Sequence, residues 1–189
     1  MSQKIILVGI QGSGKGTQAD KLIQDFGHTL IGAGDIFRWL IKSNTTYGRT
    51  MKEYIAKGQL VPDELVLEVV GKRLDLHDWD KPMILDGFPR SEGQRKWLFD
   101  DKQYPFDAVL HLDIKDENVV VERMMSRGRS DDNEEAIRTR IAEYRRETEP
   151  TLEWYDKQGI LKTVDALGSV DEIYAKIKET LNLATPVNA

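Results

Sequence analysis

The stretch "GIQGSGKGTQ", residues 9–18, decides how this chain is read. It follows the apolar run "KIILV" (4–8) and leads into a helical pattern, so the order is strand, glycine-rich loop, helix. The glycines let backbone N–H groups turn inward around phosphate oxygens, the following helix adds its positive end, and Lys15 supplies a point charge. We therefore predict that Gly12, Ser13, Gly14, Lys15, Gly16 and Thr17 surround the phosphates of a nucleoside triphosphate. Most loops of this kind place Ser or Thr directly after the lysine, where the hydroxyl ligates magnesium. Here Gly16 stands there and Thr17 follows, so Mg2+ is expected to be held mainly by phosphates and water, with Thr17 as an alternative ligand.

Working outward, β-branched apolar runs recur at "HTLI" (28–31), "PMILD" (82–86), "AVLHLD" (108–113) and "LKTV" (161–164). Short strands apolar on both faces belong to a covered parallel sheet. Between them, "DELVLEVVGKRL" sets Leu65, Val69 and Leu74 near one helical face, and "EEAIRTRIAEYRRET" does the same with Ile137, Ile141 and Tyr144. Strand and helix in alternation predict an α/β doubly wound fold of the P-loop NTPase type, a five-stranded parallel sheet with helices on both faces. The last long helix is expected to start at Asp132, with Glu135 completing a capping box, and Pro150 to kink or end it. The tail "ATPVNA" is expected to fray. The gap between "HTLI" and "PMILD" is too long for one crossover helix and reads as a helical insertion over 32–61, with Gly32, Gly34 and Gly58 as hinge or cap positions. No repeat or linker divides residues 1–189, and one domain is predicted.

Asp86 ends its apolar run where a carboxylate would face the phosphates and orient metal-bound water; the bland alternative is a cap on the turn "DGFP". The chain has no cysteine, which removes disulfides and thiolate-bound zinc and suits a reducing compartment. The N-terminal apolar run breaks at Gly9, too early for a leader, and no run approaches membrane-spanning length, so a cytoplasmic protein is expected. A net charge of −5 argues against a nucleic-acid binder. Within that acidic average, Arg123, Arg127, Arg129, Arg138, Arg140, Arg145 and Arg146 cluster, which points to a local anionic ligand. For any one of them the competing reading is a solvated helix paired with Glu143, Glu147 or Glu149. His28, His77 and His111 fit no ligand or triad spacing and read as structural.

"GSGKGTQ", "GAGDIFR" (32–38), "KGQLVPDEL" (57–65), "LDGFPRSEGQ" (85–94) and "RGRSDDNEEAIRTR" (127–140) occur in an order and spacing that resemble the adenylate kinase group of nucleoside monophosphate kinases. The likeness covers nearly the whole chain, and "DGFPR" with "DDNEE" is specific. It is similar to short-lid members, since Arg127 passes to Asp131 without the extra residues, sometimes bearing zinc-binding cysteines, of long-lid ones. The resemblance implies reversible transfer of the ATP γ-phosphate to a monophosphate acceptor, with Mg2+ and without zinc, by a monomer that meets no nucleic acid or membrane. It implies a 32–61 arm over the acceptor and a short lid at 126–132. Lys15 would follow the transferring phosphate, and Arg38 and Arg90 would hold the monophosphate. Arg123, Arg127, Arg129 and Arg140 would close over the phosphate chain, Arg123 also lying against the ATP base and Gly168 offering its carbonyl to the ATP adenine. Gln59, Leu60 and Val61 would edge the acceptor base, near Ala33, Gly87, Phe88, Pro89 and Gln94. Asp131 and Asp132 would form a carboxylate pair at the lid hinge.

The residues support that assignment independently, because phosphoryl transfer to an ionised phosphate needs fixed cations and no general base. Arg140 lies at the border of its helix's apolar stripe, where core meets cleft, while Arg138, Arg145 and Arg146 lie farther around. For the acceptor base the signals are mixed. Ala33 resembles UMP/CMP kinases, whereas Gln94 resembles adenylate kinases, and its amide can accept from the adenine amino group and donate to the adjoining ring nitrogen. AMP is expected as best acceptor, with UMP/CMP kinase activity as the alternative. A guanine-specific switch would carry Asn-Lys-x-Asp, which is absent, so a non-kinase regulatory P-loop protein is the weaker reading from another class. Kinases of small metabolites are disfavoured by "DGFPR" with Gln94.

Overall fold

The structure, a computed structural model, describes residues 3–129 and 132–183. Asp131 and the tail "ATPVNA", both singled out above, lie outside the described residues.

Five runs rich in β-branched and aliphatic residues form strands β1 (Lys4–Val8), β2 (Thr29–Gly32), β3 (Met83–Asp86), β4 (Ala108–Asp113) and β5 (Leu161–Asp165). All neighbours pair in parallel, in the order β2-β3-β1-β4-β5. The three central strands are apolar on both faces and buried on both, from Ile5 to Val8, Met83 to Leu85 and Val109 to Leu110. The edge strand β5 buries only Val164 and leaves Lys162 and Thr163 exposed, as suits a strand with one free side.

Helices α1 (Lys15–Phe26), α2 (Ala33–Lys42), α3 (Thr46–Ala56), α4 (Asp63–Asp75), α5 (Glu92–Lys96), α6 (Glu117–Ser126), α7 (Glu134–Glu143), α8 (Leu152–Lys157) and α9 (Val170–Thr180) complete the α/β architecture. The expected helical insertion is the pair α2 and α3, with the Thr45 side chain capping α3. From β1 the chain goes to β2 and β3 on one side of the sheet and then to β4 and β5 on the other. The carboxyl end of β1 is therefore where strand order reverses, the position at which such sheets bind ligands. Asp86 stands there, in register with Leu7 on one side and Gly32 on the other.

Three local expectations are corrected. On α4 the buried face is Val66, Val70 and Leu74, at i, i+4 and i+8, and Leu65 and Val69 are only half-buried. Asp132 does not cap α7: Asn133 does, accepting from the Ala136 amide, because the Asp132 carboxylate is drawn to arginines. Nor is α7 the last long helix, since α9 follows and carries a true capping box between Ser169 and Glu172. After α7 the backbone widens into a π-helical turn (Tyr144–Thr148), and Pro150 sits in a 3-10 turn (Glu149–Thr151) before α8 resumes. A similar π-helical turn, Trp97–Asp101, follows α5.

Candidate active site

The phosphate loop joins β1 to α1. Gly12 and Gly14 have φ of 88° and 92°, left-handed backbone that favours glycine and lets the loop curl around its own N–H groups. Gly14 caps α1 with no side-chain bond, so the first amides of that helix stay available to a ligand. Lys15 donates to the Gly9 carbonyl at 2.6 Å and the Ile10 carbonyl at 3.0 Å. Burial pushes its ammonium from 10.5 down to about 8; Asp86 opposes that shift, and Arg90 and Arg127 reinforce it. These four charged groups thus share one electrostatic neighbourhood.

A cleft of about 1220 Å³ opens over the carboxyl ends of β1 and β3. That exceeds the ~300–1,000 Å³ of a usual single-ligand pocket and suits two nucleotides. Its wall includes the whole loop from Gly12 to Thr17, with Arg123, Arg127 and Gly168 beside it. Toward α2 and α4 it includes Arg38, Gln59, Leu60 and Val61, and from the turn after β3 come Gly87, Pro89, Arg90 and Gln94. Arg129 and Arg140 complete it. Two of the expected site residues stay out of the wall: Ala33 and Phe88 are fully buried, Phe88 with its ring edge-on to Trp97 at 6.0 Å. Their neighbours in sequence face the cleft.

The arginines are held in place by backbone carbonyls and by carboxylates, Arg38 by Asp35. Arg90 donates from Nε to the Gly87 carbonyl at 2.8 Å, and its own carbonyl accepts from Thr148 Oγ1 at 2.7 Å. Its pKa is lowered by burial, partly restored by Asp86 and lowered further by Arg140 and Arg38. Arg123 reaches the Ala166 carbonyl, at 3.2 Å, before β5 gives way to α9. Arg127 and Arg140 share Asp132, whose side chain is 1% exposed. Burial alone would raise that carboxyl, but the two guanidiniums outweigh it and hold it below the usual carboxylate range. Arg140 also donates to the Ile55 carbonyl at 3.2 Å, tying α7 to the end of α3. Arg138 and Arg146 are solvated and paired with glutamates as expected, and Arg145 is half-exposed against Glu149 and Glu117.

The residues present fit magnesium through Asp86. Its Oδ1 is buried and has no hydrogen-bond partner, at a strand end that faces the phosphate loop. Thr17 is exposed on the same wall, two residues after Lys15 in the first turn of α1. Among the described residues no three His, Cys, Asp or Glu groups gather to bind a metal by themselves. The three histidines are buried away from the cleft, their pKa values lowered by burial, with His28 against the Leu22 carbonyl and His111 against Tyr144.

Thr148 was invisible to motif reading, since a threonine in "RRETEP" carries no signal until the helix bends to bring it under Arg90. Gln18 is a second such residue: buried in α1, it donates to the Val170 carbonyl at 3.0 Å and fixes the start of α9 beside the loop.

Comparison with known proteins agrees with this geometry. A sequence model of adenylate kinases matches residues 7–160. An adenylate kinase of Mycobacteroides abscessus is 41% identical over 94% of this chain and 98% of its own. Those of Phocaeicola vulgatus and Methanosarcina barkeri are 37% and 36% identical, over 92% and 94% of this chain and 95% and 97% of theirs. With a phosphate loop and a large arginine-lined cleft in place, the chain belongs to the adenylate kinase family of nucleoside monophosphate kinases.

Proposed function

We propose that the chain transfers the γ-phosphoryl group of ATP reversibly to AMP, giving two ADP, with the cleft residues dividing the work between donor and acceptor. The carrying observation is that one cleft collects Lys15 and the arginines 38, 90, 123, 127, 129 and 140, while no histidine lines it. A non-bridging oxygen of the acceptor phosphate attacks the γ-phosphorus, the bond from that phosphorus to the β–γ bridging oxygen breaks, and its electron pair leaves with the β-phosphate. The attacking oxygen is already ionised, so no base is required, and the barrier is lowered by cations fixed in advance.

The loop amides and α1 hold the donor phosphates, and Lys15 leaves its carbonyl partners to follow the transferring group. Arg123 lies against the ATP base, whose adenine meets the Gly168 carbonyl. Arg38 and Arg90 hold the acceptor phosphate, while Arg127, Arg129 and Arg140 neutralise charge between the two. Gln59, Leu60 and Val61 edge the acceptor base, and Gln94 reads it. Magnesium on the donor phosphates would supply charge neutralisation there, with Asp86 orienting its water shell. The 32–61 arm and the lid residues on either side of 130–131, Arg127 to Arg129 and Asp132, cover the two substrates and exclude water, which would otherwise accept the phosphoryl group. We further propose that the enzyme works as a monomer in the cytoplasm, with neither nucleic acid nor membrane as partner. Among the described residues no helix is long and apolar enough to cross a membrane.

The test is an acceptor panel with ATP as donor, reading diphosphates directly for AMP, CMP and UMP, beside phosphate release without acceptor. AMP should give the highest kcat/KM, with CMP or UMP measurably used. Phosphate release that AMP does not redirect into ADP would overturn the assignment.

A further inference from the structure

Gln94 is 2% exposed yet lines the cleft, and both ends of its amide are already engaged. The Arg90 backbone N–H donates to its Oε1 at 2.8 Å, and its Nε2 donates to Asp63 Oδ1 at 2.7 Å. A backbone N–H can only donate and a carboxylate can only accept, so these two partners forbid the flipped amide. Flipping would set two donors against each other and an oxygen against a carboxylate.

Asp63 is itself fixed. It opens α4, directly after the Gln59–Val61 segment, and its Oδ2 accepts from Ser91 Oγ at 2.7 Å. Ser91 in turn caps α5, its Oγ accepting from the Gln94 backbone N–H at 3.1 Å. Gly93 leaves room for this carboxylate, because a Cβ there would stand 2.7 Å from Asp63 Oδ2. The carboxylate therefore ties α4 to α5 while it holds the donor end of the Gln94 amide.

An amide oxygen has a second lone pair and an NH2 group a second hydrogen, and both remain for the ligand in a fixed order. That order matches a base edge with an exocyclic amino donor beside a ring-nitrogen acceptor, as adenine has. Hypoxanthine has the same shape with the pattern reversed, a carbonyl acceptor beside an N–H donor. We infer that Asp63 is a specificity-positioning residue: by locking the Gln94 amide it makes the acceptor site select amino bases over their keto counterparts.

This inference rests on the reading that Gln94 faces the acceptor base, and the test separates the two. The measured quantity is the ratio of kcat/KM for AMP to that for IMP, with ATP as donor. The parent should favour AMP by about a hundredfold or more, since a reversed pattern leaves buried polar groups opposed. Asp63→Leu should cut the ratio about tenfold, by weakening AMP and improving IMP, with KM for ATP unchanged. Asp63→Asn keeps an oxygen that accepts from Nε2 and should restore most of the ratio. A merely structural loss would lower both acceptors together and leave the ratio alone. If Asp63→Leu does not fold, Asp63→Ala is read in the same way. A ratio within twofold of the parent in the Asp63 variant, while Gln94→Leu collapses it, would overturn the role of Asp63 alone. A parent-like ratio in Gln94→Leu would overturn the base reading and this inference with it, leaving ATP-to-AMP transfer untouched.

Discussion

Raising the pH from 7 to 9 should remove most of the enzyme's kcat/KM for ATP, and the cause should be one proton on Lys15. The ammonium of the free enzyme is buried against two carbonyls, and that burial, with Arg90 and Arg127 in its field and only partly offset by Asp86, brings it down to about 8. A group with that pKa is about 91% charged at pH 7 and about 9% charged at pH 9, so kcat/KM should fall about tenfold. A lysine at its ordinary value would lose only a few per cent over the same range. The window is clean on both sides. Burial holds the three histidines below their usual range, and burial with Asp75 pushes Tyr104 up to about 12. The phosphates of both nucleotides are ionised throughout. In kcat the fall should move to higher pH, because bound phosphates favour the charged ammonium. The assay is initial-rate kinetics at saturating AMP, in buffers of constant ionic strength, for the parent and Lys15→Arg. The arginine variant should be slower and flat, since its guanidinium stays charged. A flat parent profile, or the same fall in Lys15→Arg, would refute the argument.

Because Gly16 supplies no hydroxyl, Asp86→Asn should weaken magnesium dependence more than Thr17→Val; equal losses in a magnesium titration of activity would give Thr17 the ligand role. Gly58→Ala should destabilise by about 2 kcal/mol, since φ is +74° and the new Cβ would lie 2.4 Å from the Ala136 carbonyl oxygen. That variant should also raise KM for AMP with KM for ATP within twofold, as denaturant unfolding and kinetics would show. Arg95 is 3% exposed, pairs with Glu92 and Asp100, and lies 4.4 Å from the Trp154 ring centre. Arg95→Met should cost about 1–2 kcal/mol of unfolding free energy and leave both KM values unchanged, because the half-exposed carboxylates regain water.

The strands and the phosphate loop were legible because local chemistry dictates them: runs such as "KIILV" and "AVLHLD" have nowhere to go but a covered sheet, and a loop closing on phosphate needs glycine and lysine. The α4 face differs from the expected one because that helix packs on more than one side, leaving Leu65 and Val69 half-buried beside the buried Val66 and Val70. Asp132 and Asn133 are equal as caps in sequence. Only the folded chain brings Arg127 and Arg140 to the first and leaves the second for the helix. Ala33 and Phe88 are buried behind motif neighbours that line the cleft, a depth that a motif does not state. The two bonds that orient the Gln94 amide come from residues 4 and 31 positions away, the farther of them beyond any local rule.

The widened turn at Tyr144–Thr148 has a consequence for chain length. Along an unbroken α-helix, eight residues would carry Thr148 about 80° around from Arg140, off the cleft side. A π-helical turn needs about one more residue per turn, so it takes out most of that angle, and both side chains reach the same cleft. Geometrically it is what a helix looks like after accepting one inserted residue. A chain one residue shorter between 144 and 148 would keep every cation of the cleft and every strand of the sheet. Its helix, relaxed to ordinary pitch, would set the threonine seven residues after Arg140, about 20° around from it and still on the cleft side, so the widened turn is how the chain carries its extra residue without losing the bond from Thr148 to the carbonyl of Arg90.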